Sequence, residues 1–141
     1  MTTPMYWRRP SFSVAETAEM IGSSEDALRT WMARCPLDEF AGEKKNGRIW
    51  LTGRDGYFYH LVQVLSQFGV PVRTAMYTAG SIAEYGAPTY AYLTVRTLAG
   101  KTEFNASNSK EADGPALVLP LLDLFEKHVA VCREYYAKES T

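Results

Sequence analysis

Six cations lie between Arg29 and Arg54: Arg29, Arg34, Lys44, Lys45, Arg48 and Arg54. Asp38, Glu39 and Glu43 share that interval, which leaves a local excess of three. Clustered Lys and Arg are the side chains that meet nucleic-acid phosphates, so a modest phosphate-contacting patch is the first chemistry to consider. The whole-chain charge of −1 excludes indiscriminate nucleic-acid binding through a bulk positive field.

Other chemistries are poorly supplied. His60 and His128 are the only histidines, too few for a His-based metal cluster or a catalytic triad. Cys35 and Cys132 stand far apart with no ligand-spaced His or Cys beside them, and they read as reduced thiols of a cytoplasmic chain. Gly53-Arg54-Asp55-Gly56 lacks the lysine and hydroxyl residue of a phosphate-cradling loop. The carboxylate pairs Glu16/Glu19 and Glu25/Asp26 sit at expected helix starts, where capping accounts for them. No catalytic residue, cofactor or metal ligand is expected. Tyr77, Tyr85, Tyr90 and Tyr92 could line a pocket between a fourth helix and a hairpin, although tyrosines on a half-buried sheet are more often packing.

The elements that must hold the cations can be read in order. Met1 to Ser11 form an arm in which Tyr6 and Trp7 are expected to pack on the domain while Arg8 and Arg9 stay solvated. Ser13-Val14-Ala15-Glu16 is a capping box that opens a first helix, with Val14, Ala15, Ala18 and Ile21 on its buried face and Gly22 at its end. A second helix runs from Ser24 to Arg34. Ala27, Leu28 and Trp31 face inward, Arg29, Thr30, Ala33 and Arg34 outward, and Pro36 stops it. Phe40 to Leu51 suits two strands about Asn46-Gly47, a favoured hairpin dipeptide. Thr52, with Asp55 three residues on, opens a third helix to about Phe68 with Phe58, Leu61, Val62, Leu65 and Phe68 inward and Gly69 at its end. Pro71 starts a fourth helix, reaching about Tyr85. Two short helices joined by a tight turn form a helix-turn-helix, and a basic hairpin beside them reads as a wing.

Phe12-Ser13-Val14, Ala18, Gly22, Ser24 and Leu28-Arg29-Thr30-Trp31 resemble the opening of a MerR-type DNA-binding domain. Gly47-Arg48-Ile49-Trp50, Thr52-Gly53-Arg54-Asp55 and Phe68-Gly69-Val70 follow in the family's order, so the resemblance covers roughly half the chain. It implies a winged helix-turn-helix that binds double-stranded DNA as a homodimer through a C-terminal helix. Arg29 would then contact the backbone from the recognition helix and Arg48 from the wing, while Trp31 and Trp50 brace the helix against the wing. Pro36-Leu37-Asp38-Glu39 and Glu25-Asp26 depart from the family's pattern. The expected DNA-contacting set is Ser24, Glu25, Arg29, Thr30, Arg34, Lys44, Lys45, Asn46 and Arg48.

Residues 87–141 fall outside that resemblance. Thr89 to Leu98 alternates, with Ala91, Leu93 and Val95 on one face, and Thr102 to Ser107 returns with Phe104 and Ala106. Asn105 to Gly114 reads as a polar loop. A final helix from Pro115 or Pro120 to about Lys138 carries Val118, Leu122, Phe125, Val129, Cys132 and Tyr136 at alternating spacings of four and three. That stripe suits dimerisation through Leu122, Phe125, Val129, Cys132 and Tyr136, or packing on its own chain.

The expected fold is therefore α+β, mainly α: a winged helix-turn-helix with its arm over 1–86, then a β-hairpin and long helix over 87–141 for dimerisation or an effector. At 141 residues such a chain buries roughly two-thirds of its unfolded surface and needs no staples. No run approaches the ~20 apolar residues of a membrane span, so a cytoplasmic protein with no membrane partner is expected. The expected function is sequence-specific transcriptional regulation. A DNA-bending architectural or recombination-directionality factor, and a protein-interaction module with a partner bound at the C-terminal region, are the rival readings.

Overall fold

The computed structural model describes residues 4–84, 86–112 and 114–139 and shows an α+β chain with two small antiparallel sheets. A 3₁₀ turn, Met5–Trp7, precedes β1 (Phe12–Ser13), α1 (Val14–Ile21) and α2 (Glu25–Arg34). A second 3₁₀ turn, Asp38–Phe40, leads into β2 (Glu43–Lys45), β3 (Arg48–Leu51), α3 (Gly53–Gln67) and α4 (Val72–Ala83). The chain closes with β4 (Tyr92–Leu98), β5 (Lys101–Ser107), β6 (Leu117–Pro120) and α5 (Leu121–Glu139). Among the described residues no helix is long and apolar enough to cross a membrane.

Local signals account for the helix starts. Ser13 Oγ accepts from Glu16 N at 3.0 Å while Ser13 N donates to Glu16 Oε1 at 2.9 Å, the reciprocal bonding of a capping box. Thr52 and Asp55 repeat it, both bonds at 2.9 Å. Asn46 and Gly47 both have positive φ, 52° and 77°, the requirement of a two-residue type I′ turn between β2 and β3.

Tertiary packing changes several of the expected faces. Thr17 takes the buried place given to Ala15, which is exposed, and its hydroxyl donates to Ser13 O at 2.9 Å. Phe68 is 62% exposed because it caps α3 beyond the last buried turn. β1 pairs with β3, placing Phe12 opposite Leu51, so the hairpin belongs to a three-stranded sheet of order β1-β3-β2. In the second sheet the order is β5-β4-β6. β5 extends to Ser107, so the segment from Asn105 begins as strand, and Leu117–Pro120 is strand before the helix starts at Leu121. Thr94 is buried on the central strand β4, although alternation put it outward. Tyr85, the expected end of the fourth helix, lies outside the described residues.

One hydrophobic core runs across the boundary expected near residue 86: Trp7, Leu28, Phe58 and Leu65 share it with Leu93, Leu119 and Phe125. Tyr6 and Trp7 pack inward as expected. α5 lies on α1 and α3, and its apolar stripe is covered by its own chain. Phe125 and Cys132 are fully buried and Val129 nearly so, Phe125 meeting Trp7 at 4.9 Å and Tyr57 at 5.6 Å between ring centres. Tyr136 sits 5.0 Å from Tyr6, and only Leu122 is largely open at 37%. Among the described residues the stripe packs on its own chain, the second of the two arrangements expected for it, because the face that would fit a partner helix fits α3 and the arm.

Two glycines let α5 come this close. A Cβ on Gly53 would lie 3.0 Å from the Trp7 ring, and one on Gly56 would lie 2.9 Å from His128 Nε2. A carbonyl only accepts, so His128 Nε2 carries a hydrogen and donates to Gly53 O at 3.0 Å. Burial, with His60 close by, pushes His128 down to about 4, and burial lifts the Asp55 carboxyl to about 6. A histidine that protonates more readily in the unfolded chain contributes stability present above 6.5 and lost as pH falls toward about 4. Asp55 runs the other way, its burial cost fading as pH falls through about 6.

Gly56→Ala is expected to cost about 1–3 kcal/mol by overpacking, read from the urea midpoint. A neutral result would mean that α5 is not seated there. The stability gap between the native chain and His128→Asn is expected to narrow as pH falls from 6.5 to about 4, measured by urea unfolding. A constant gap would remove the titration from His128.

Candidate nucleic-acid interface

The expected contact residues fall on two exposed surfaces. α2 rests on α1 through Leu28, which is fully buried, with Ala27 and Trp31 half-buried beside it. Ser24, Glu25, Arg29, Thr30 and Arg34 are all exposed on the far side. Lys44, Lys45, Asn46 and Arg48 are exposed at the end of the β2–β3 hairpin. α1 packs against both α2 and β3, so it is the element that relates the two surfaces.

Several α2 side chains are already engaged. Ser24 Oγ accepts from Ala27 N at 3.1 Å as the helix cap, and Thr30 Oγ1 donates to Asp26 O at 2.9 Å. Arg29 Nε donates to Glu25 Oε2 at 3.4 Å, an i,i+4 pair with both side chains about half exposed. Such a pair is worth a few tenths of a kcal/mol and yields readily to a stronger anion. Arg34, in the last turn, has no ion pair among the described residues.

The hairpin presents its cations differently. Lys45 lies directly opposite Arg48, and Lys44 opposite Ile49. Facing like charges destabilise an antiparallel pair by a few tenths of a kcal/mol or more. The Arg48 guanidinium lies over the Trp50 ring at 5.4 Å, a cation–π contact that steadies it without neutralising it. Strand alternation puts Trp50 on the face with Arg48, away from the side on which Leu51 is buried. Trp31 packs on the main core, and Trp50 is half-buried on the face that carries Arg48.

Arg54 leaves the patch altogether. It donates to Glu84 O at 3.1 Å and Glu39 O at 3.2 Å and lies over the Phe40 ring at 4.7 Å, so it ties α3 to α4 and to the turn before β2. Arg8 donates to the same Glu84 carbonyl at 3.3 Å. The sequence carried no local signal for these long-range bonds.

Elsewhere the chemistry is quiet. Among the described residues no three His, Cys, Asp or Glu side chains come together to hold a metal ion. Burial pushes the Cys132 thiol up to about 12 and raises Cys35 as well, so neither is an activated nucleophile. Tyr90 does line an apolar cleft of about 370 Å³ between α4 and the second sheet, with Ile82, Phe104 and Leu121. Tyr77 and Tyr92 are not among its lining residues, and Tyr85 lies outside the described residues. No family model matches the chain, and no curated protein or solved structure matches it.

Glu25→Ala is expected to cost less than about 1 kcal/mol, because it removes an exposed helical pair and one first-turn acid of α2. Thermal unfolding checks this, and a larger loss would make Glu25 a structural residue.

Proposed function

We propose that the chain is a sequence-specific DNA-binding transcriptional regulator of winged helix-turn-helix type. In this reading α2 enters the major groove, Arg29 and Arg34 reach the backbone, and Lys44, Lys45 and Arg48 grip phosphates beside it. The observation that carries it is the facing Lys45–Arg48 pair at an exposed hairpin tip. An arrangement that costs the free protein stability is offset when an anion binds between the cations. Support also comes from α5: by folding back on α1 and α3 it leaves the outer face of α2 uncovered.

A second reading has an observation of its own. The Glu25–Arg29 pair, with Asp26 exposed beside it, gives α2 a mixed surface suited to a protein partner. The two readings separate on whether purified protein shifts duplex DNA at low salt. Selection of bound DNA from a random pool then gives the site, and a footprint that bends DNA beside it would favour the architectural role.

On the selected site, Arg29→Ala and Arg48→Ala are each expected to weaken binding and lower the salt slope by about one. Unchanged binding in both variants would overturn the assignment of these residues.

A further inference from the structure

Four of the chain's sheet edges differ in how they are protected. β1 has two residues, β2 has three and is lysine-rich, and β6 has four and ends in Pro120. Short length, lysine and proline are the ordinary guards against edge-to-edge pairing. β5 has seven residues, Lys101–Ser107, with no proline; its charges are Lys101 at one end and Glu103, which Arg96 of β4 holds at 3.5 Å. Its register with β4 is unbroken from Tyr92↔Ser107 to Leu98↔Lys101, so no bulge turns it away. Among the described residues β4 is the only strand that pairs with β5, and all of β5 is exposed except the half-buried Phe104 and Ser107.

We infer that β5 is the pairing surface for a second copy of this chain, joining two sheets into one of order β6-β4-β5-β5-β4-β6. A two-fold axis normal to the sheet makes the strands antiparallel and keeps each residue on its own face, so only residues of equal parity oppose each other. Full overlap of the seven residues puts the axis at Phe104. Phe104 then meets Phe104 of the second copy, Thr102 meets Ala106, Glu103 meets Asn105 and Lys101 meets Ser107. No like charges oppose one another, and the two charged residues each find a neutral polar partner. Phe104 also lines the apolar cleft beside α4, so the cleft continues toward the axis and its aromatic wall is completed by the second ring. A second copy therefore pairs over all seven residues without a like-charge clash and brings its own Phe104 to the axis. The surface stands apart from α2 and the β2–β3 hairpin, so it holds or fails independently of the DNA reading.

Sedimentation of the full chain at rising concentration is expected to show conversion from 15.8 kDa to twice that mass. Asn105→Glu sets two carboxylates against the opposing Glu103 side chains, whereas Asn105→Lys sets two ammonium groups there. The first is expected to weaken the dimer about tenfold and the second to strengthen it. Both positions are exposed, and circular dichroism confirms that each variant is folded. A chain that stays monomeric throughout overturns the proposal, and so does a dimer whose affinity ignores both substitutions.

Discussion

The contact on which the rest of this molecule depends is the seating of α5 against the glycine face of α3. Gly53 and Gly56, one turn apart, open a shallow bed for the Trp7 ring and the His128 imidazole, where a Cβ would come within 3.0 Å and 2.9 Å of them. Without it, the apolar stripe of α5 would lose its seat on α3, and Trp7 would lose the Phe125 ring against which it packs edge-on. The hydrogen bond from His128 to Gly53 O then fixes the rotation of the helix, because a buried ring nitrogen must find an acceptor.

The magnitudes explain why this junction, rather than the surface ion pairs, decides the architecture. Trp7, Tyr57 and Phe125 each remove about 150–250 Å² from water, which at about 25 cal/mol per Å² is on the order of 10 kcal/mol before entropy is counted. The exposed pairs Arg29–Glu25 and Lys127–Asp123 are each worth well under 1 kcal/mol. Charge on this protein is therefore free to vary with function, while the aromatic junction is not. Arg54 is the exception, since stacking on Phe40 and two carbonyl acceptors make it part of the frame.

Local chemistry was legible in the sequence and long-range pairing was not. Ser13/Glu16 and Thr52/Asp55 announce their helices within four residues, and Asn46-Gly47 names its own turn. The stripe Phe125, Val129 and Cys132 gave a helix with one apolar face, but periodicity cannot say whose surface covers it. The glycines that answer the question lie 69 to 79 positions earlier in the chain, from Phe125 back to Gly56 and from Cys132 back to Gly53. β1 and β6 were missed for the same reason: a two-residue strand and a Leu-Val-Leu-Pro run exist as strands only because β3 and β4 lie beside them. Thr17 and Ala15 exchanged places because the threonine hydroxyl could be satisfied by Ser13 O inside the helix. The candidate DNA-contacting residues were all found exposed, and the partners of two of them follow local spacing: Glu25 one turn before Arg29, and Trp50 two residues after Arg48 on the same strand face.

Lysines on the β2–β3 hairpin would be expected even on a protein that never meets DNA, since a charged edge discourages sheet-to-sheet association. Lys44 and Lys45 by themselves therefore say little. Arg48 adds a third cation at that end. It lies where β3 has β2 on one side only, since β1 meets just Trp50 and Leu51, and it stands opposite Lys45, where the like charges weaken the hairpin. An acidic or neutral residue there would stabilise the turn better. The Trp50 ring beneath its guanidinium offsets part of that cost, so three cations are held together at one exposed tip, which is the arrangement the proposed phosphate contact would use.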